Sequence, residues 1–205
     1  MKKQALCIVL CLLTIMCFVG CTSEPTSGPG DVAASFLQAW QHQEYASIKQ
    51  YYAENVDNLS NFKNKVESIS PHVANEVFKK MGDFSYTIEQ VSIDSNDDTK
   101  ATVTVTLRCY DLGEAFESII LDYLETDLTM TFNGAKDEDI VKEAETVIME
   151  KVDSAKQTYI QTTPIALTLE DNTWKVNKLE ENPDLMNALS GNILYTIRDL
   201  SESLK

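Results

Sequence analysis

The first twenty-one residues constrain this chain more than any other stretch, because they set the compartment in which the rest folds. Lys2 and Lys3 precede an apolar run over residues 5–19, which Thr14 alone interrupts. At about 1.5 Å of rise per residue, a helix over this run is roughly 22 Å long, shorter than the ~30 Å hydrocarbon core of a bilayer. A basic start and a short apolar core predict a secretory signal peptide and not a lasting transmembrane span.

The end of this segment predicts a lipid attachment site. Phe18-Val19-Gly20-Cys21 resembles a lipobox, the cleavage motif of bacterial lipoproteins, in which a small residue precedes a cysteine that carries a diacylglyceryl group. The resemblance implies cleavage between Gly20 and Cys21, a lipid on the Cys21 sulfur, and attachment to the extracytoplasmic face of the cell membrane. Two or three acyl chains anchor stably, at about 0.8 kcal/mol per buried methylene. The alternative is an ordinary secretion signal with a chance cysteine, since Phe18 stands where lipoboxes usually have Leu.

The cysteines leave the mature chain without material for an internal disulfide. Cys7, Cys11 and Cys17 lie in the predicted signal peptide and Cys21 is the predicted lipidation site, so that only Cys109 remains as a thiol. The fold must therefore rest on its hydrophobic core. Cys109 continues the inward side of a predicted strand, which favours a small buried hydrophobic residue over a catalytic nucleophile.

The charge excludes one class of partner. The net charge of −15 becomes −17 when Lys2 and Lys3 leave with the signal peptide. This balance repels phosphate backbones and argues against nucleic-acid binding. We expect a membrane contact through the lipid on Cys21, together with an unidentified small molecule or an envelope or protein partner.

The sequence predicts no metal site and no cofactor. His42 and His72 are its two histidines, too few for a multi-histidine site. The segment 94–98 copies the first three ligand positions of a calcium loop, but Thr99 and Val105 occupy the positions that need Gly and Glu. An Asp-rich and Asn-rich hairpin loop is therefore the favoured interpretation. The glycines do not form a phosphate-binding pattern.

The domain organisation follows from composition. Residues 1–20 form the predicted signal peptide, and residues 21–30 form a tether in which prolines and glycines alternate with small polar residues. Residues 31–205 are long enough for one domain with a single core. Asp31 is expected to be the N-cap of a first helical region that reaches residue 54. A second helical region, over residues 61–80, is expected to break at Ser70-Pro71.

Beyond Gly82 the apolar period changes to two, so that the chain is predicted to be α+β. Tyr86 and Ile88 alternate in one phase and Val91 and Ile93 in the other, which predicts a bulge near residues 89–90 and hence a curved sheet. Residues 101–109 are the clearest strand. A helical hairpin over residues 112–155 is predicted between the second and third strands, which are followed by a fourth strand over residues 174–178 and a C-terminal helix from residue 183. The expected fold is thus N-terminal helices packed on an antiparallel sheet of about four strands. Pro164 predicts an edge or a kink at the start of the third strand, in which Ile165, Leu167 and Leu169 alternate.

This order of elements resembles the cone-shaped domain of the nuclear transport factor two-like, or cystatin-like, superfamily. Three short segments, Tyr110-Asp111-Leu112, Asp171-Asn172-Thr173-Trp174-Lys175-Val176 and Asn187-Ala188-Leu189-Ser190-Gly191-Asn192, are similar to uncharacterised lipoproteins of Gram-positive bacteria. The resemblance implies a fold and a location on the cell surface, and no activity.

The superfamily includes isomerases and hydrolases in which the cone encloses a substrate, so a pocket is one expectation. Trp40, Tyr52, Tyr110, Asp111 and Trp174 are the residues that we expect to line it. A cone-type enzyme would use Asp111 as its buried carboxylate. The alternatives are that Asp111 caps the helix that follows it while the aromatic residues fill the core, and that the domain is a structural or protein-binding module. No catalytic constellation is evident, so a binding module is the primary prediction.

Overall fold

The computed structural model describes residues 27–54, 61, 63–65, 67–68, 70–132 and 136–203. The predicted signal peptide, the Gly20 and Cys21 cleavage site and most of the tether lie outside these residues. The described elements confirm the predicted α+β fold. In chain order they are α1 (Pro29–Gln41), α2 (Tyr45–Tyr51), α3 (Pro71–Gly82), β1 (Ser85–Ile93), β2 (Lys100–Cys109), α4 (Leu112–Phe132), α5 (Asp137–Ser154), β3 (Tyr159–Glu170), β4 (Thr173–Val176), a 3-10 turn (Leu179–Glu181), α6 (Pro183–Leu189) and α7 (Ile193–Ser203).

Helix α1 begins at Pro29, two residues before the expected start, and so includes the last two residues of the predicted tether. Proline is suited to the first helical position because its fixed φ is helical and its missing N–H would have no partner there. Asp31 lies in the first turn, where its carboxylate accepts a hydrogen bond of 3.3 Å from the backbone N–H of Gly28. Asp31 thus stabilises the helix start from inside the helix instead of from the N-cap position.

The predicted break at Ser70-Pro71 is confirmed. Helix α3 begins at Pro71, and the Ser70 side chain caps it by accepting a hydrogen bond of 3.2 Å from the backbone N–H of Val73. The helix ends at Gly82, as expected. A Cβ atom on Gly82 would lie 2.6 Å from the carbonyl oxygen of Gln41, so this glycine lets α3 end against the last turn of α1.

The four strands form one antiparallel sheet in the order β1-β2-β3-β4. Strand β2 alternates as predicted. Its inward residues are buried in the core, namely Ala101, Val103, Val105, Leu107 and Cys109. Its outward residues are exposed or half-buried threonines, with Lys100 at the start and Arg108 near the end. The inward face packs on buried residues of α1, chiefly Phe36 and Leu37, and on Leu185 and Leu189 of α6.

The predicted bulge in β1 is confirmed. The register shifts between Ile88 and Gln90, so that Tyr86, Ile88, Val91 and Ile93 all lie opposite inward residues of β2. Although all four lie on the core side of the sheet, two of them are exposed. Val91 is 47% exposed and Ile93 is 52% exposed. The reason is the length of α1, since Gly30, in its first turn, already lies against Val91 and α1 reaches no further along the strand.

Pro164 pairs with Thr104 of β2 but has no strand on its other side, so it lies at a local edge as predicted, although well inside β3 and not at its start. Strand β3 begins at Tyr159 and pairs with β2 over its length, whereas β4 pairs with its last four residues, from Leu167 to Glu170. Ala166 directs its N–H and C=O away from β2, to Asn182 and Asn177. Pro164, two residues earlier, has the same backbone orientation. An N–H at this position would point away from β2, to the side that β4 does not reach, so no ladder hydrogen bond is lost.

The domain has two distinct ends along the direction of the strands. Gly30 at the start of α1 lies against Val91, and Gln41 at its end donates a hydrogen bond of 2.5 Å to the carbonyl of Phe84. Helix α1 therefore runs antiparallel to β1 for roughly 20 Å. We call the end with residue 28 and the 94–99 loop the tether end. The opposite end, which we call the helical end, carries α3, α4, α5 and α7. Among the described residues, no helix is both long enough and apolar enough to cross a bilayer.

Candidate functional site

The candidate site is a groove at the helical end with a volume of about 370 Å³. We call it the helical groove. Four helices and the residue after α6 form its walls, and nearly every side chain that they contribute is apolar. The lining residues are Val73, Val77, Phe78, Met81, Leu112, Ala115, Phe116, Ile119, Ile148, Val152, Ser190, Ile193, Leu194 and Ile197.

Helix α7 forms the most exposed wall of the groove. It is strongly amphipathic, with Ile193, Leu194 and Ile197 on the groove side and Arg198 and Asp199 exposed on the other. None of its residues is fully buried, and Ile197 is 45% exposed. An amphipathic helix normally buries its apolar stripe. In the described part of the chain, the apolar stripe of α7 is covered only in part by the neighbouring helices.

A sharp turn aims α7 across the groove. Gly191 and Asn192 both have positive φ, 64° and 73°, and separate α6 from α7, which the sequence had predicted as a single C-terminal helix. The side chain of the fully buried Asn187 supports this turn. Its amide nitrogen donates to the Tyr159 hydroxyl at 2.8 Å and to the Asn192 side chain at 3.1 Å, and its oxygen accepts from the Tyr195 backbone N–H at 2.9 Å. Burial raises the pKa of Tyr159, and the hydrogen bond from Asn187 opposes that rise.

Two glycines let the start of α4 lie directly against this turn. The backbone N–H of Gly113 donates to the carbonyl of Gly191 at 2.9 Å. A Cβ atom on Gly113 would lie 2.8 Å from the carbonyl oxygen of Asn192, and one on Gly191 would lie 2.7 Å from that of Tyr110. Neither distance leaves room for a side chain. The two glycines therefore fix the spacing between α4 and α7, and with it the width of the groove.

Polar contacts outside the groove hold the remaining walls. Lys151 of α5 lies 2.7 Å from the carboxylate of Asp122 of α4, and the pKa of Lys151 is raised by this hydrogen bond and by the Asp122 charge. The Ser70 hydroxyl donates to the carboxylate of Glu145, which joins the start of α3 to α5. These contacts tie the helices together without adding a polar group to the lining.

None of the five expected pocket residues is among the described residues that line this groove. Trp40 lines a small cavity of about 60 Å³ with Tyr45 and Ile48, and its ring lies 6.0 Å from that of Phe36. Tyr52 and Trp174 are buried in the core at 7% and 3% exposure. Burial raises the pKa of Tyr52, and a hydrogen bond from the backbone of Leu179 opposes that rise.

Tyr110 and Asp111 lie at the junction of β2 and α4. Lys80 is 4.2 Å above the centre of the Tyr110 ring, a cation–π contact between α3 and this junction. The Asp111 carboxylate accepts a hydrogen bond of 3.0 Å from the backbone N–H of Glu114, so it caps α4. The structure thus does not bring the five expected residues together around one cavity. The capping contact gives Asp111 a structural task and does not favour a catalytic one.

The sequence patterns did not predict the helical groove, although the sequence contains a signal for it. The signal is the set of apolar stripes on α3, α4, α5 and α7, because each amphipathic helix must cover its stripe against a neighbouring element. Their arrangement depends on contacts between residues that are distant in the chain, such as Gly113 with Gly191. A pattern read along the chain does not contain that information.

Within the described residues, no group of three histidine, cysteine, aspartate or glutamate side chains is placed to hold a metal ion. His42 and His72 are both exposed. The 94–99 segment forms the expected hairpin loop, in which Asp94 accepts from the backbone of Asn96 at 2.8 Å and Asp97 from that of Thr99 at 3.1 Å. These bonds are those of Asx turns.

Comparison with known proteins assigns the chain to no family. No family model matches it, and no curated protein matches it. Among solved structures, it is similar to a candidate lipoprotein, ycdA, from Bacillus subtilis, at 16% identity and a TM-score of 0.44. The similarity covers 71% of this chain and 49% of that one, so this chain spans about half the length of ycdA. This likeness is too low to assign a fold family or a function, and the resemblance to the nuclear transport factor two-like superfamily stays a prediction.

Proposed function

We propose that this chain is a lipid-anchored, extracytoplasmic binding protein. The lipid on Cys21 attaches it to the cell membrane, and the helical groove takes up an apolar ligand. The proposed binding role rests on the groove itself. The groove is concave and apolar, has a volume of about 370 Å³, and is left open by the described helices. A well-formed apolar pocket of this size is the usual place for a small-molecule site. Covering apolar surface stabilises a complex by about 25 cal/mol per Å².

The anchor is tested with the full chain expressed in a Gram-positive host. We expect the wild-type protein in the membrane fraction, with a mature N-terminus at Cys21 that carries the mass of a diacylglyceryl group. Cys21→Ser should shift the protein out of that fraction. Cys17→Ser is the matched control, because Cys17 leaves with the predicted signal peptide. If Cys21→Ser and Cys17→Ser fractionate alike, the anchor is not at Cys21.

The binding role is tested by thermal unfolding of the mature chain against a broad panel of metabolites, lipids and glycans. A ligand present at one hundred times its Kd adds about 2.7 kcal/mol. For a domain of this size, that raises Tm by roughly 5–10 °C. Ile197→Glu places a charge at the groove without removing a buried side chain, and we expect it to abolish the shift. Compounds that stabilise both forms equally bind elsewhere, and a panel without any hit would contradict the proposal.

A further inference from the structure

We infer that the helical groove holds a single alkyl chain of an uncharged amphiphile. This inference deepens the proposed function and rests on it. Thirteen of the fourteen lining residues are apolar, and the remaining one, Ser190, donates its hydroxyl to the carbonyl of Asn187 at 2.8 Å. Known ligand sites place a few polar groups where they orient the polar parts of their ligands. Here no described lining side chain offers an unused hydrogen-bond donor, and the Ser190 oxygen is the one side-chain acceptor among them, so the buried part of the ligand is mainly hydrocarbon.

The size of the groove excludes a protein partner. A standard protein interface buries about 800 Å² on each partner. The accessible surface inside the groove is several-fold smaller than that. Among the described lining residues, Ile197 is the one exposed side chain. A single slender hydrocarbon chain matches this small accessible surface.

The charge around the groove favours an uncharged head group. The chain carries a net charge of −15, which repels a carboxylate. Four cations of the described residues lie next in sequence to lining residues, and each has a partner. Lys79 pairs with Glu76 at 3.1 Å, Lys80 lies over the Tyr110 ring, Lys151 pairs with Asp122, and Arg198 pairs with Asp199 at 3.0 Å. The ligand is therefore an alcohol, an ester or another neutral amphiphile and not a fatty acid.

The position of the groove favours a ligand that arrives from solution. The chain enters the domain at residue 28, at the tether end, and α1 leads from there to the helical end over roughly 20 Å. The groove walls begin beyond the last turn of α1, where Gln41 meets Gly82. The groove thus lies at the far end of the domain from the anchor. A dissolved amphiphile reaches it without passing through the bilayer that holds the anchor.

The test uses 1-alkanols from hexanol to tetradecanol and isothermal titration calorimetry. A chain that begins at residue 22, and so lacks the lipidated cysteine, is suitable because every residue of the core cluster lies between Val32 and Leu189. We expect the affinity to rise about fourfold for each added methylene until the groove is full, and then to level off. Decanoate at pH 8 should bind at least fivefold more weakly than decanol. An affinity that does not depend on chain length, or a preference for decanoate, would overturn the inference.

Two matched variants locate the site. Ile197→Glu should lower the decanol affinity at least tenfold. Ile160→Glu makes the same change at an isoleucine of similar exposure, 51% against 45%, on β3 outside the groove, and should change the affinity by less than twofold. Circular dichroism confirms that both variants are folded. Equal effects of the two variants would place the alkanols elsewhere and overturn the inference.

Two further results separate this inference from the proposed function. Suppose that the panel yields a ligand whose binding Ile197→Glu abolishes, but that no alkanol binds. The groove then remains a binding site and the alkyl assignment fails. If neither binds, both fail. Vesicles of phosphatidylcholine test the source of the ligand, and we expect the unanchored chain not to sediment with them. Sedimentation that Ile197→Glu abolishes would show that the groove takes its ligand from a bilayer.

Discussion

The hydroxyl of Tyr52 accepts a hydrogen bond of 2.9 Å from the backbone N–H of Leu179. Both residues are buried, and 127 positions of sequence separate them. Beside this bond, Tyr52 forms a parallel bridge to Val176, and the N–H of Ala53 donates to the carbonyl of Val176 at 2.9 Å. The segment after α2 therefore closes the outer edge of β4, and one hydroxyl joins the first part of the domain to the last.

We expect Tyr52→Phe to destabilise the protein by about 1–3 kcal/mol, because it leaves the buried N–H of Leu179 without a partner. Urea denaturation measures the loss. Tyr51→Phe is the control, since the Tyr51 hydroxyl makes no hydrogen bond to the described residues, and it should cost less than about 0.5 kcal/mol. Equal losses in the two variants would show that the bond to Leu179 contributes nothing.

The side-chain amide of Asn187 should contribute more to the free energy of unfolding than any single hydrogen bond in the domain does. Asn187→Leu removes three contacts at once and leaves the Tyr195 N–H unsatisfied, whereas the Tyr159 hydroxyl keeps its bond to Gln161 at 3.0 Å; we expect a cost of about 2–4 kcal/mol in urea denaturation. Tyr159→Phe removes one of the three and should cost about 1 kcal/mol. A smaller loss for Asn187→Leu than for Tyr159→Phe would contradict the role of Asn187 in supporting the turn before α7.

Gly113→Ala should destabilise the protein by about 1–3 kcal/mol, because the new methyl group overlaps the carbonyl of Asn192 and forces α4 away from the turn. Thermal unfolding detects the loss. Glu117→Ala, at an exposed position of the same helix, should lie within about 0.5 kcal/mol of wild type. An unchanged Tm for Gly113→Ala would show that α4 can shift freely, and hence that the groove width is not fixed there.

Asp111→Ala should cost about 0.5–2 kcal/mol, the usual loss when a helix cap is removed. Asp111→Asn keeps an oxygen that accepts from the Glu114 N–H and should retain most of the stability. Chemical denaturation of the three proteins distinguishes these outcomes. If the alanine variant proves as stable as wild type, Asp111 does not act as the cap of α4.

The stability should depend on alkaline pH through Cys109. Burial raises the pKa of the Cys109 thiol to about 12, whereas its ordinary value is 9.0. Because the folded pKa is the higher one, the neutral thiol's contribution is fully present below pH 9 and is lost as the pH rises toward 12. The free energy of unfolding of wild type should therefore fall relative to that of Cys109→Val above pH 9. Parallel pH profiles for the two proteins would contradict this.

The sheet was predictable because its signals are local. The alternation from Ala101 to Cys109 identifies a strand with one buried face, and the change of phase between Ile88 and Val91 requires one extra residue, which is the observed bulge. Pro164 signalled a local sheet edge for the same kind of reason, since its missing N–H is a property of that residue alone, but it did not mark the start of β3. Burial was less predictable, because the exposure of Ile93 depends on where α1 begins.

The candidate site was not predictable from the same patterns. Trp40, Tyr52 and Trp174 suggested a pocket, but Phe36 lies within 6.0 Å of both the Trp40 and Tyr52 rings and helps to fill the space between them. The groove depends on the turn at Gly191 and Asn192, whose composition suggested only a weakened helix. The turn sets the direction of α7 because the Asn187 side chain binds both Tyr159 and Tyr195.

The bulge between Ile88 and Gln90 lies on the edge of the described sheet that no described segment covers, since Tyr52 and Ala53 close the opposite edge. An extra residue twists an edge strand away from the flat, regular geometry that a second chain needs to extend a sheet. The single added residue in β1 thus makes this open edge a poorer template for strand pairing with a second copy of the chain.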